Sequence, residues 1–143
     1  MRKSNKSERG QAMLEAALTT LAFLFLLIGI IDVGQVLYVH QSIVERVRAA
    51  IRYGVVHDFD ADAIKYMVVY NSPTSPVADG EELPSGFLGL TVDNVDVTRD
   101  DATFNEDRLT VSVSDYTFSL LTPLVLGQYY GKPITASMPY EGL

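Results

Sequence analysis

Glu15 is the residue of this sequence whose position asks for chemistry. It lies within R-G-Q-A-M-L-E-A-A-L, Arg9 to Leu18, at the opening of a strongly apolar segment. A carboxylate carried into hydrocarbon is costly unless something neutralises it. Were the chain cut after Gly10, Gln11 would become the first residue, with a free cationic amine, and Glu15 the fifth. Residues four apart on a helix share a face. The new amine can therefore meet the acid of its own or a neighbouring chain, which offsets part of the desolvation. Glu15 would also stand in the first turn of the new helix, where the macrodipole favours negative charge.

Other chemistry-bearing groups make weaker patterns. His57, Asp58, Asp60 and Asp62 alternate as carboxylates do in calcium loops, but the turn glycine and closing bidentate Glu of such loops are missing. They read as the acidic start of a helix. The run DDATFNED, Asp100 to Asp107, reads as a solvated hairpin loop rather than an ion site. His40 and His57 sit in no nucleophile motif, and neither G-x-S-x-G nor GxxxxGK[ST] occurs. With no Cys, disulfides, thiol chemistry and Cys-based zinc sites are out. Tyr129, Tyr130 and Tyr140 read as core and interface anchors. The expectation is a protein that is not an enzyme and uses no cofactor or metal.

The elements that position Glu15 follow from hydropathy and charge. Ala16 to Ile31 is free of charge and bracketed by Glu15 and Asp32. Adding Met13, Leu14, Val33, Val36 and Leu37 brings it to the ~20 residues a helix needs to cross a bilayer. Arg2, Lys3, Lys6 and Arg9 precede it, which places the N-terminus in the cytoplasm and the body outside. A cleaved secretory signal fits poorly, because Ile30-Ile31-Asp32-Val33 offers bulky residues where small ones are required. Asp32 reads as a polar residue at the outer end of the span, with a contact between packed subunits as the sharper alternative. The formal net charge is -7, and an acidic body argues against nucleic acid as a partner.

Beyond the span, Val36, Val39, Ile43, Val47, Ala50, Ile51 and Val55 recur at helical spacing, so the membrane helix continues as an amphipathic stalk to about Val56. Asp60 caps a second helix whose apolar face is Ile64, Met67 and Val68. Asn71 to Gly89, rich in Pro and Gly, reads as a long exposed loop. Period two then marks three strands, at Val95 and Val97, at Leu109, Val111 and Val113, and at Ile134, Ala136 and Met138, with a turn region from Pro123 to Pro133. The fold expected is α+β, the stalk covering a small antiparallel sheet.

The order of basic leader, Gly10, four mostly apolar residues, Glu15 and a long apolar helix resembles the class III signal of type IV pilins. Gly29, Asp32 and Gly34, and then Arg46, Arg48, Ala49, Ala50, Arg52, Tyr53 and Gly54, are similar to the pattern of TadE-like pseudopilins of Tad (Flp) pilus systems. The closing LTVSVSDYTFSLLTPL and ITASMPYEGL resemble them more loosely. One departure is Ala16, where the Tad branch often has an aromatic residue after the glutamate. The resemblance implies cleavage by prepilin peptidase between Gly10 and Gln11, with Glu15 the assembly residue. It divides the chain into a cytoplasmic leader at 1–10, a transmembrane and assembly helix at 11–37 and an extracytoplasmic head at 38–143. It further implies a single-pass protein of the cytoplasmic membrane, partnered by lipid, other pilins and pseudopilins and the inner-membrane assembly platform, with adhesion as a role of the pilus. The alternative is a permanently anchored accessory, scaffold or sensor protein with an extracytoplasmic head.

Overall fold

The computed structural model describes residues 6–78, 80–100, 107–119 and 128–140. A single helix, α1 (Lys6–Val56), runs through the apolar segment and on into the stalk. Its 51 residues extend about 75 Å at 1.5 Å per residue. No proline precedes Pro73, so nothing removes a backbone donor within it. The lower part is largely uncovered by the rest of the chain, with Phe23 60 %, Leu26 61 % and Ile30 64 % exposed. It is long and apolar enough to cross a membrane.

The upper part of α1 is a core element. Val39, Ile43, Val47, Ala50 and Ile51 are buried and Val36 and Val55 half-buried, the stripe that the helical spacing predicts. A short turn leads to α2 (Ala61–Tyr70). Its first free donors are satisfied as the sequence predicts: the Asp60 carboxylate accepts from the Asp62 N–H at 3.0 Å and the Ala63 N–H at 3.2 Å. Ala63, Ile64, Val68 and Val69 are its buried residues, while Met67 is half-buried against the same core. Asn71 ends it in the left-handed region, at φ 59°, donating its N–H to the Met67 carbonyl.

Three strands form the main sheet in the order β1-β2-β5, all antiparallel: β1 (Val95–Asp100), β2 (Arg108–Val113) and β5 (Ile134–Pro139). The register aligns Val95, Val113 and Ile134 in one row and Val97, Val111 and Ala136 in the next. Those rows present one apolar face, with Val111 and Val113 fully buried on it. α1 lies against β2 and β5, and α2 against β1, so the helix-on-sheet α+β head is as expected. Gly54 marks a close approach of α1 to α2 and β2. A Cβ there would stand 2.6 Å from Ile64 Cδ1 and 2.7 Å from Leu109 Cδ2, so any larger residue must push these two side chains aside.

The region expected to be a turn, Pro123 to Pro133, is partly strand. β3 (Thr117–Ser119) pairs antiparallel with β4 (Gln128–Tyr130) in a second, two-stranded sheet. Residues 120–127 and the centre of the DDATFNED run lie outside the described residues. Three-residue strands are too short to display a period of two, which is why the sequence reads as turn. The Asn71–Gly89 loop is irregular as predicted and ends in a 3-10 turn at Phe87–Gly89.

Candidate assembly segment

Gly10, Gln11 and Glu15 all fall on α1, so the bond between Gly10 and Gln11 is held in helical backbone. A Cβ at Gly10 would meet nothing within 4 Å. Packing therefore does not require glycine there, in contrast to Gly54. Gln11 and Glu15 are exposed and share a face: the Gln11 side-chain amide donates to Glu15 Oε1 at 3.4 Å. The Thr19 hydroxyl donates to the Glu15 carbonyl at 2.8 Å, back-bonding one turn down. Among the described residues, the Glu15 carboxylate thus projects from the apolar part of the helix with one weak neutral donor, the Gln11 amide.

Asp32 occupies a different environment. It is only 7 % exposed and makes a polar interaction. Its position explains the burial: Ile28, Asp32, Val36, Val39, Ile43 and Val47 step by four or three residues along one face of α1, every one of them buried or half-buried. That is the face turned to the head. Asp32 lies at the outer end of the apolar run, as read from the sequence, but it is buried already within a single chain.

Several residues of the Arg/Ala/Gly-rich segment make contacts of their own. Arg46 donates through Nη1 to the carbonyls of Val68 at 3.2 Å and Val69 at 3.5 Å, and its guanidinium lies 3.9 Å from the centre of the Phe87 ring. These carbonyls are in the last turn of α2, where unpaired acceptors and the dipole both favour a cation. Burial lowers the Arg46 pKa, yet a guanidinium stays charged throughout the working range. Ala50 is fully buried, Tyr53 stacks on His57 with ring centres 4.2 Å apart, and Arg52 donates from Nε to the Arg48 carbonyl at 3.2 Å. The Arg46 clamp is a structural contact that the sequence did not announce; an arginine on an amphipathic stalk reads as solvent-facing.

Two of the acidic groups weighed as ion sites, Asp60 and Asp107, have other partners. Asp60 is the cap of α2, and His57 Nδ1 lies 2.9 Å from the Tyr53 carbonyl. At the end of the DDATFNED run, Arg99 grips the Asp107 carboxylate through Nε at 3.0 Å and through Nη2. That ion pair, led by the hydrogen bond, holds the Asp107 pKa below its ordinary value. Arg99 also stacks on Tyr140, 4.0 Å from the ring centre. The Tyr140 hydroxyl donates to the His57 carbonyl at 3.2 Å, and its N–H to the Asp107 carbonyl at 2.8 Å. One knot thus joins β1, the start of β2, the residue after β5 and the turn following α1. Among the described residues, no group of three or more His, Cys, Asp or Glu is placed to hold a metal ion.

No curated protein and no solved structure matches the chain. Residues 10–52 match the family model described as TadE-like protein, a family that points to a minor pilin associated with a Tad pilus. The match opens at Gly10, takes in Glu15 and Asp32, and closes at Arg52, two residues short of Gly54. Over residues 10–52, the long apolar helix and the basic stalk together, this chain is similar to the TadE-like family.

Proposed function

We propose that the protein is a pseudopilin or minor pilin subunit of a Tad-type pilus, held in the cytoplasmic membrane with its head outside and released for assembly when prepilin peptidase cuts after Gly10. The observation that carries this reading is the coincidence of boundaries. The TadE-like match begins at residue 10, the glycine that packing does not require, and the basic residues of the leader lie before it. Glycine lowers the helical stability of that position by about 1 kcal/mol relative to alanine, which favours the local unwinding a protease needs to reach a bond held in helix.

After the cut, the Gln11 amine replaces the weak amide contact on Glu15 with a charge-assisted one. Between neighbours, such a pair fixes axial register more than it adds net stability. Extraction from lipid is tolerable because neighbouring helices can cover the apolar surface from Leu21 to Ile31 that lipid covered before. Other pilins, pseudopilins and the inner-membrane assembly platform are the partners this role requires.

The test is Glu15→Ala in the native host. The variant is expected to be cleaved normally and to stay in the membrane fraction, while its amount in sheared fibres falls at least about tenfold, the equivalent of about 1.4 kcal/mol. Wild-type incorporation of Glu15→Ala would refute the assembly role.

A further inference from the structure

We propose that the groove between α1 and β5 docks a second copy of this chain, whose acidic segment at Glu81 and Glu82 enters it. The groove has a volume of about 1060 Å³ and is walled by Arg48, Ala49 and Arg52 of α1, by Phe87, and by Thr135 and Met138 of β5. Among the described residues β5 pairs with β2 alone, so its other edge carries unpaired backbone groups. Met138 belongs to the row that faces the helices, opposite Leu109, yet it is 38 % exposed. The inner face of the sheet is thus left open at this end.

Charge selects the occupant. Beyond Tyr53 the chain has fourteen Asp and Glu against four Lys and Arg, whereas the groove wall carries Arg48 and Arg52, both exposed. Among the described residues neither is paired with a carboxylate, and neither Glu81 nor Glu82 is paired with a cation. The acid on the same wall, Glu45, accepts from the Gln41 amide at 3.5 Å. Carboxylates offered to Arg48 and Arg52 form charge-assisted, bidentate contacts. Lipid headgroups are out of range: Arg48 stands eleven residues past Leu37, the end of the span, about 16 Å further along the helix.

Height selects the segment. Arg46 holds Val68, Val69 and Phe87 at its own level on α1, so the loop that leaves α2 at Asn71 and returns at Phe87 starts and ends level with the groove. Asn71 and Phe87 both line it. Two copies anchored in one bilayer by the same helix stand level, so the ends of the loop that carries Glu81 and Glu82 in one copy lie at the height of the groove in the other. This step rests on the membrane anchoring in the reading above and on no part of pilus assembly.

The chain has no cysteine, which allows a disulfide test in host membranes. Two full-length copies with different tags are co-expressed, one with Ala78→Cys and the other with Thr135→Cys, and oxidised. A disulfide joining the two tags is expected. Arg48→Glu with Arg52→Glu in the Thr135→Cys copy should cut its yield about tenfold. Adding Glu81→Arg with Glu82→Arg to the other copy should restore it, which a misfolded variant could not do. A cross-link only to another protein, or a yield indifferent to charge reversal, overturns the proposal. So does the absence of a disulfide when both copies are in the membrane pellet. Copies missing from that pellet would overturn the anchoring itself, and the proposal with it.

Discussion

Arg46 and Asp32 show how differently two charged residues on one helix can be used. Arg46 turns a stalk position into a clamp, spending its donors on the last-turn carbonyls of α2 and its flat face on Phe87. Hydrogen bonds from charged groups contribute about 1.5–3 kcal/mol, so Arg46→Ala should destabilise the head by about 2 kcal/mol in denaturant titration. Arg46→Lys should recover only part of this, because an ammonium lacks the planar fork and stacks poorly on a ring. A loss under about 0.5 kcal/mol, the usual size for a surface substitution, would show that the carbonyls are served equally well by water. Asp32 was legible as an odd charge but not as a buried one. Its burial depends on helical phase, four residues below Val36 on the head-facing stripe, and an acid closing an apolar run reads first as the end of a span.

At the scale of elements, both helices and the three long strands were legible because their periods survive for enough residues to be counted. The Val39 to Ile51 stripe, the Asp60 cap and the Val-rich rows of β1 and β2 all stand where the sequence puts them. The β3–β4 pair was not legible: strands of three residues bordering a Leu- and Pro-rich stretch carry no period. Gly54 was noticed only as the close of the Arg/Ala/Gly-rich pattern, whereas it is where α1 comes against Ile64 and Leu109. Both neighbours are fully buried, so Gly54→Leu has no room to repack. It should cost about 1–3 kcal/mol, as overpacked cores do, read as a lower Tm of the head. An unchanged Tm would mean that the two helices and the sheet are packed more loosely than these distances imply.

Across the whole molecule, the knot of Arg99, Asp107, Tyr140 and His57 ties the end of the sheet to the top of the helix. Because Arg99 lowers the Asp107 pKa in the folded chain, the pair stabilises the head above the unfolded carboxylate pKa of about 3.9. That contribution is lost as pH falls through the lower folded value. Asp107→Asn should therefore reduce Tm at neutral pH and converge with the parent in strong acid. A Tm gap of the same size at all pH values would remove the ion pair as its cause. The same molecule divides into a buried head and a bare helix, and the bare part is where the TadE-like match begins. The account as a whole depends on what happens to the bond after Gly10. The direct measurement is the intact mass of the protein isolated from membranes of its own host, beside a Gly10→Val variant. The prediction is a chain that starts at Gln11 in the parent and retains residues 1–10 in the variant. A parent chain that keeps those ten residues, in cells whose prepilin peptidase is cutting another substrate, would contradict it.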